Sequence, residues 1–139
     1  MLKDRRGDIM VMVVFIIPIT LFLLNFMLTY GLAEYSKSTL ITASREAART
    51  YAVSHDRELA RTTAENIITQ TLNSDREYFN PGSDIVLFDE GKYAAATVNY
   101  RVPVAVPAMF RLIGVNTIIG NHMQVSSTAR FVKEAVPSW

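Results

Sequence analysis

His55, His122 and a scatter of carboxylates are the side chains in this chain best suited to proton transfer or metal binding, and their spacing decides whether they can work together. A hydrolytic centre needs a nucleophile, a base and a group that orients the base. Neither histidine sits in such an arrangement. His55-Asp56-Arg57-Glu58 stands at the start of a helical segment and reads as a charged, solvated face. His122 follows Gly120-Asn121 in a turn and lacks the i, i+4 partner of a helical zinc site. Glu58, Glu65 and the pair Asp89-Glu90 have no sequence reason to converge, and no glycine-rich loop is present to cradle a phosphate. The absence of cysteine removes disulfides, thiolate ligands and thiol nucleophiles together. The chemistry-bearing residues therefore point away from an enzyme, and no cofactor or metal is expected.

What the chain does possess is apolar length. An uninterrupted run from Ile9 to Leu28 follows Lys3, Arg5 and Arg6. As a helix it measures about 30 Å, the thickness of a bilayer hydrocarbon core. A secretory signal would have a shorter apolar stretch, about 7 to 15 residues, and a small-residue cleavage site, for which Gly31-Leu32-Ala33 is the one weak match. The run is thus expected to be a retained anchor. Lysine and arginine are held on the cytoplasmic side. Three lie in the six residues before the span, against Lys37 and Arg45 after it, which favours a cytoplasmic segment 1–8, a span 9–29 and an exported region 30–139. A net charge of +1 offers no footprint for nucleic acid. The roughly 110 residues beyond the anchor suffice for one small domain.

The helical period continues past the anchor. Leu40, Ala43, Ala47 and Tyr51 recur at spacings of three and four, with Ala48 and Ala52 alongside, while Lys37, Ser38, Arg45, Glu46, Arg49 and Thr50 occupy the opposite side. If Gly31 does not break it, Ile9 to Val53 is a single rod of about 68 Å. A second helix is expected from Asp56, its N-cap, to Leu72, with Ala60, Ala64, Ile67, Ile68 and Leu72 inward. Asn73-Ser74-Asp75 and Asn80-Pro81-Gly82-Ser83 mark a loop.

Beyond Ser83 the period changes to two. Ile85 to Phe88 is a short strand, Asp89-Glu90-Gly91-Lys92 a hairpin turn, and Tyr93 to Val102 a strand with Ala96, Val98, Tyr100 and Val102 on one face. In the last strand Met123, Val125, Ala129 and Phe131 oppose Gln124, Ser126, Thr128 and Arg130. The natural cover for the dry face is the alanine stripe of the projecting helix, so the expected fold class is α+β: a transmembrane helix continuing into a long amphipathic helix, a second helix, and a small antiparallel sheet packed on the long one. Leu40, Ala43, Ala47, Ala48 and Tyr51 are its expected helix–sheet contacts. Pro103 to Asn121 is an apolar connection in which Pro103 and Pro107 forbid an interior strand; it reads as a loop folded over the core, or as a patch that meets a partner or the membrane surface.

In the order of its parts the chain resembles the TadE-like pseudopilins, the small single-anchor proteins of tight-adherence pili and related type IV filament systems. The residues that carry the resemblance are Arg6-Gly7 before the apolar run, Pro18 within it, and Ile41-Thr42-Ala43-Ser44-Arg45-Glu46-Ala47-Ala48-Arg49 after it. Ala96 to Val104 and Gln124 to Arg130 are similar to the late strands of the family. The resemblance implies a structural subunit of a pilus, with other pilin subunits and the assembly machinery as partners, in the bacterial cytoplasmic membrane and in a surface filament. It also implies processing by a prepilin peptidase between Gly7 and Asp8. The position five residues after Gly7, glutamate in processed members, is Met12, and Gly7 reads equally as a flexible residue before a membrane helix. Pro18 loosens one turn of the anchor and Asn25 offers an amide for a helix–helix contact, so both are candidates for packing between anchors. A second class of function stays open at this point, a membrane-tethered module that binds another envelope protein without polymerising.

Overall fold

The computed structural model describes residues 2–73, 75–104, 118–119 and 122–133. Helix α1 runs without interruption from Leu2 to Ser54. Its 53 residues make a rod of about 80 Å. Gly31 does not break it, because glycine weakens a helix by no more than about 1 kcal/mol and Leu28, Leu32, Ala33 and Glu34 around it are good helix formers. Pro18 lies inside and, lacking an N–H, leaves the Val14 carbonyl without its usual helical donor.

α1 ends where the backbone turns left-handed. His55 has φ of 57°, and its N–H donates to the Tyr51 carbonyl at 3.0 Å, closing the last turn as a C-terminal cap usually made by glycine. Asp56 then caps α2 (Arg57–Thr71), its carboxylate accepting from the N–H groups of Glu58 at 2.9 Å and Leu59 at 3.3 Å. With so short a connection α2 folds back along α1, burying Ala60, Ala64 and Ile68 completely and bringing Thr71 and Leu72 beside Leu32 and Ser36.

The segment after α2 is more ordered than its turn residues suggest. Phe79 is fully buried, and Asn80 caps a single helical turn, α3 (Pro81–Asp84). The Asp84 carboxylate, itself buried, accepts from the Asn80 N–H at 2.7 Å and pairs with Arg101 at 3.5 Å, tying this segment to the sheet.

Three strands make the sheet: β1 (Ile85–Asp89), β2 (Tyr93–Pro103) and β4 (His122–Val132), all antiparallel, with a two-residue β3 (Ile118–Ile119) on the outer edge of β4 and the order β1-β2-β4-β3. The turn between β1 and β2 uses Gly91 at φ 74°, a conformation glycine adopts without a steric cost. Ile85, Ala96, Val98, Tyr100 and Val102 face the helices and are buried, whereas Thr97 meets Thr128 across the outer face at 2.8 Å. The expected α+β architecture is thus present, with the alanine stripe beneath the sheet. Two details differ from expectation. Ile118 and Ile119 in the connection after Pro103 add an edge strand, and His122 begins β4 instead of ending a turn. Residues 105–117, the rest of that connection, lie outside the described residues.

Candidate functional site

α1 has two halves with different surroundings. From Ile9 to Leu24 its large apolar side chains are between 46% and 74% exposed, except Phe22, which is half-buried. Among the described residues this is the one helix long and apolar enough to cross a membrane. From Asn25 onward a stripe of the same helix is covered: Asn25, Thr29, Ser36, Leu40, Ala43, Ala47, Ala48 and Tyr51 follow one another at helical spacing and are all buried. Small side chains predominate where β2 and β4 cross, because a helix and a sheet approach closely only when little stands between them.

The residues singled out in the sequence fall on both halves. Gly7 and Asp8 are exposed in the first turns of α1, and Pro18 is exposed mid-way along the bare segment. Asn25 is only 8% exposed, with Thr29 at 2%, so this amide is turned toward its own chain while Leu24, Met27 and Leu28 around it are more than half exposed. The covered stripe therefore begins inside the apolar run. Leu40, Ala43, Ala47 and Ala48 are completely buried and Tyr51 nearly so, as the stripe requires.

Ser44 and Ser127 are a pair the sequence did not disclose. Their hydroxyls meet at 3.1 Å between α1 and β4, and Ser44, fully buried, also donates to the Ile41 carbonyl at 3.1 Å. Ser127 occupies an inward position in the alternation of β4, where a serine amid Val125 and Ala129 was the available signal.

Several titratable groups join elements of the fold. His122 lies 3.2 Å from the Glu77 carboxylate and edge-on to the Tyr78 ring, anchoring the start of β4 to the loop. Lys133 holds the Asp89 carboxyl below its ordinary range, and Glu90 pairs with Arg130 at 3.1 Å, together joining the β1–β2 turn to the end of β4. Arg57 donates to the Tyr51 hydroxyl at 3.2 Å and is raised by that bond. Burial raises Tyr100, whose hydroxyl donates to the Asn73 carbonyl at 3.1 Å. Among the described residues no three histidine, aspartate or glutamate side chains are grouped to hold a metal ion.

No family profile, curated protein or solved structure matches this chain. The geometry presents a largely exposed apolar half-helix continuous with a folded module. Arg5 and Arg6 sit near the N-terminal end of α1, where the macrodipole is positive and cations are unfavourable for the helix.

Proposed function

We propose that this chain is a structural pseudopilin, a minor subunit or assembly factor of a Tad-type, type IV-like pilus, which acts by packing the bare half of α1 against the same half-helix of other subunits. The single observation that carries this reading is the unbroken α1, whose uncovered apolar half is joined without a hinge to the half that holds the module. A subunit so built can be stored in the cytoplasmic membrane, with the module outside, and then withdrawn from lipid into a filament while its helix exchanges lipid contacts for protein contacts. Rigid continuity transmits the pull of the assembly machinery from one half to the other. Pro18, exposed on the bare half, gives that surface a shape that plain apolarity lacks.

Replacing Ile9 to Leu24 with polyleucine tests this directly. With the half-buried Phe22 retained, the substitution keeps length and apolarity and leaves the covered stripe from Asn25 intact. Membrane insertion and folding of the module should persist while pilus yield falls to background. Normal pilus assembly with a polyleucine segment would overturn the proposal in favour of a tethered binding module, for which any anchor suffices.

A further inference from the structure

Covered residues begin too early on α1 for the module to stand clear of a membrane. Ile9 to Leu24, the apolar stretch that is bare apart from the half-buried Phe22, makes about 24 Å of helix, some 6 Å short of a hydrocarbon core. Asp8 closes the run at one end, so the missing length has to come from the other, from residues 25 to 28. At that level Asn25 and Thr29 are already buried against the chain's own polypeptide, whereas Phe26, Met27 and Leu28 still face outward.

The surface at that end has the character of an interface. Tyr30 and Tyr35 are each more than half exposed, and the Tyr30 ring stacks on Phe26 at 6.1 Å, placing amphipathic rings where a headgroup layer would meet them. Beside them a shallow cavity of about 250 Å³ is lined by the apolar and aromatic side chains of Leu32, Tyr35, Leu72, Tyr100, Val102 and Pro103 together with the uncharged polar Ser36, Thr71 and Asn73, and no charged residue lines it. Two clefts farther along the module each include charged side chains, Glu46 with Arg49 in one and Glu65 with Arg76 in the other. Tyr100 brings no unmet polar demand, because its hydroxyl is bonded to the Asn73 carbonyl. Leu32 stands four residues, about 6 Å, beyond Leu28, which is within the thickness of one headgroup layer.

From this juxtaposition we propose that the span-proximal end of the module, the uncharged surface of Leu32, Tyr35, Leu72 and Pro103, is seated in the outer headgroup layer of the bilayer as a second membrane contact beside the span. This rests on α1 crossing the membrane, but not on filament assembly. The contact fixes the tilt of α1 and lets the subunit wait in one orientation, and withdrawal from the membrane then has to detach the module as well as the helix.

The cysteine-free chain allows a clean test. Single-cysteine variants of the full chain at Phe15, Thr71, Pro103 and Lys92 are labelled with an environment-sensitive fluorophore and placed one copy per phosphatidylcholine nanodisc. Emission is compared with and without lipids bearing a nitroxide near the headgroup. Thr71 and Pro103, both exposed, should be quenched at least about twofold more than Lys92 at the far turn, as expected for side chains at interfacial depth. Quenching at Thr71 and Pro103 no greater than at Lys92, with a label at Phe15 shielded from aqueous quencher, would overturn the seating while leaving the span intact. A Phe15 label open to aqueous quencher would overturn the span and the seating with it. Because each disc holds one copy, a neighbouring subunit cannot supply the effect.

Discussion

Ser44 and Ser127 show how a single polar pair specifies the fit of helix to sheet. Ser44→Ala removes one partner at a fully buried site, and stability should fall by about 0.5 to 1.5 kcal/mol. The double change with Ser127→Ala should cost less than the sum of the singles, measured by denaturant titration of the module's near-ultraviolet circular dichroism in detergent. Ala47→Asp is the harsher version, since a carboxylate with no partner in a fully covered position should cost several kcal/mol out of a total of about 5 to 15 and unfold the module. Retention of the native melting transition after Ala47→Asp would show that the stripe does not seat the sheet. The Asp89–Lys133 contact gives a pH signature. Its carboxyl is lowered in the folded state, so the contribution is present at neutral pH and is lost as pH falls through the carboxylate range. The stability difference between the native chain and Asp89→Asn should therefore shrink on acidification; a difference that stays constant would show that the contact does nothing for the fold. At this scale the sequence was legible where a residue has one habitual role. Asp56 followed by a helical pattern announces an N-cap, while Ser127 interrupts an apolar alternation and looks like noise until Ser44 is seen opposite it.

Element boundaries follow from competition between local preference and packing. The alanine stripe from Leu40 to Tyr51, the second helix and the strands of the hairpin could all be read from period alone, because each has one wet and one dry face. The start of the covered stripe could not. Between Ile9 and Leu28 every face is apolar, so periodicity is silent and Asn25 and Thr29 look like isolated polar residues in a span. Phe79 was hidden for the opposite reason, being a core residue set among turn formers. Likewise Ile118 and Ile119 join the sheet edge from a connection that reads as a loop, its prolines forbidding only an interior strand. Two substitutions probe the element account. Gly31→Ala adds a Cβ that meets nothing within 4 Å in an exposed helix interior, so helix content should hold and stability should rise by about 0.5 to 1 kcal/mol. A loss would show that α1 needs to bend there. His55→Gly relieves a left-handed residue at the end of α1 and should stabilise the α1–α2 junction by up to about 1 kcal/mol, seen as slower amide exchange in the first turn of α2.

As a whole, the molecule is a lever, with a module clasped to one half of a rod and the other half left bare. Its fold class was legible because the period of the sequence changes once, from helical to alternating, after Ser83. The use proposed for it rests, on the sequence side, on the resemblance of short segments, since packing between half-helices would leave no catalytic motif to find. The central claim is that the bare half of α1 meets its counterparts in other subunits. The most direct measurement is a disulfide scan in intact cells, with a single cysteine moved residue by residue from Ile9 to Leu24 of the full-length chain and oxidative crosslinking read on gels. Crosslinking that rises and falls every three to four residues, strongest on one face of the helix and dependent on the assembly machinery, is the predicted result. Crosslinking that is absent, or uniform at every position and indifferent to that machinery, would contradict it.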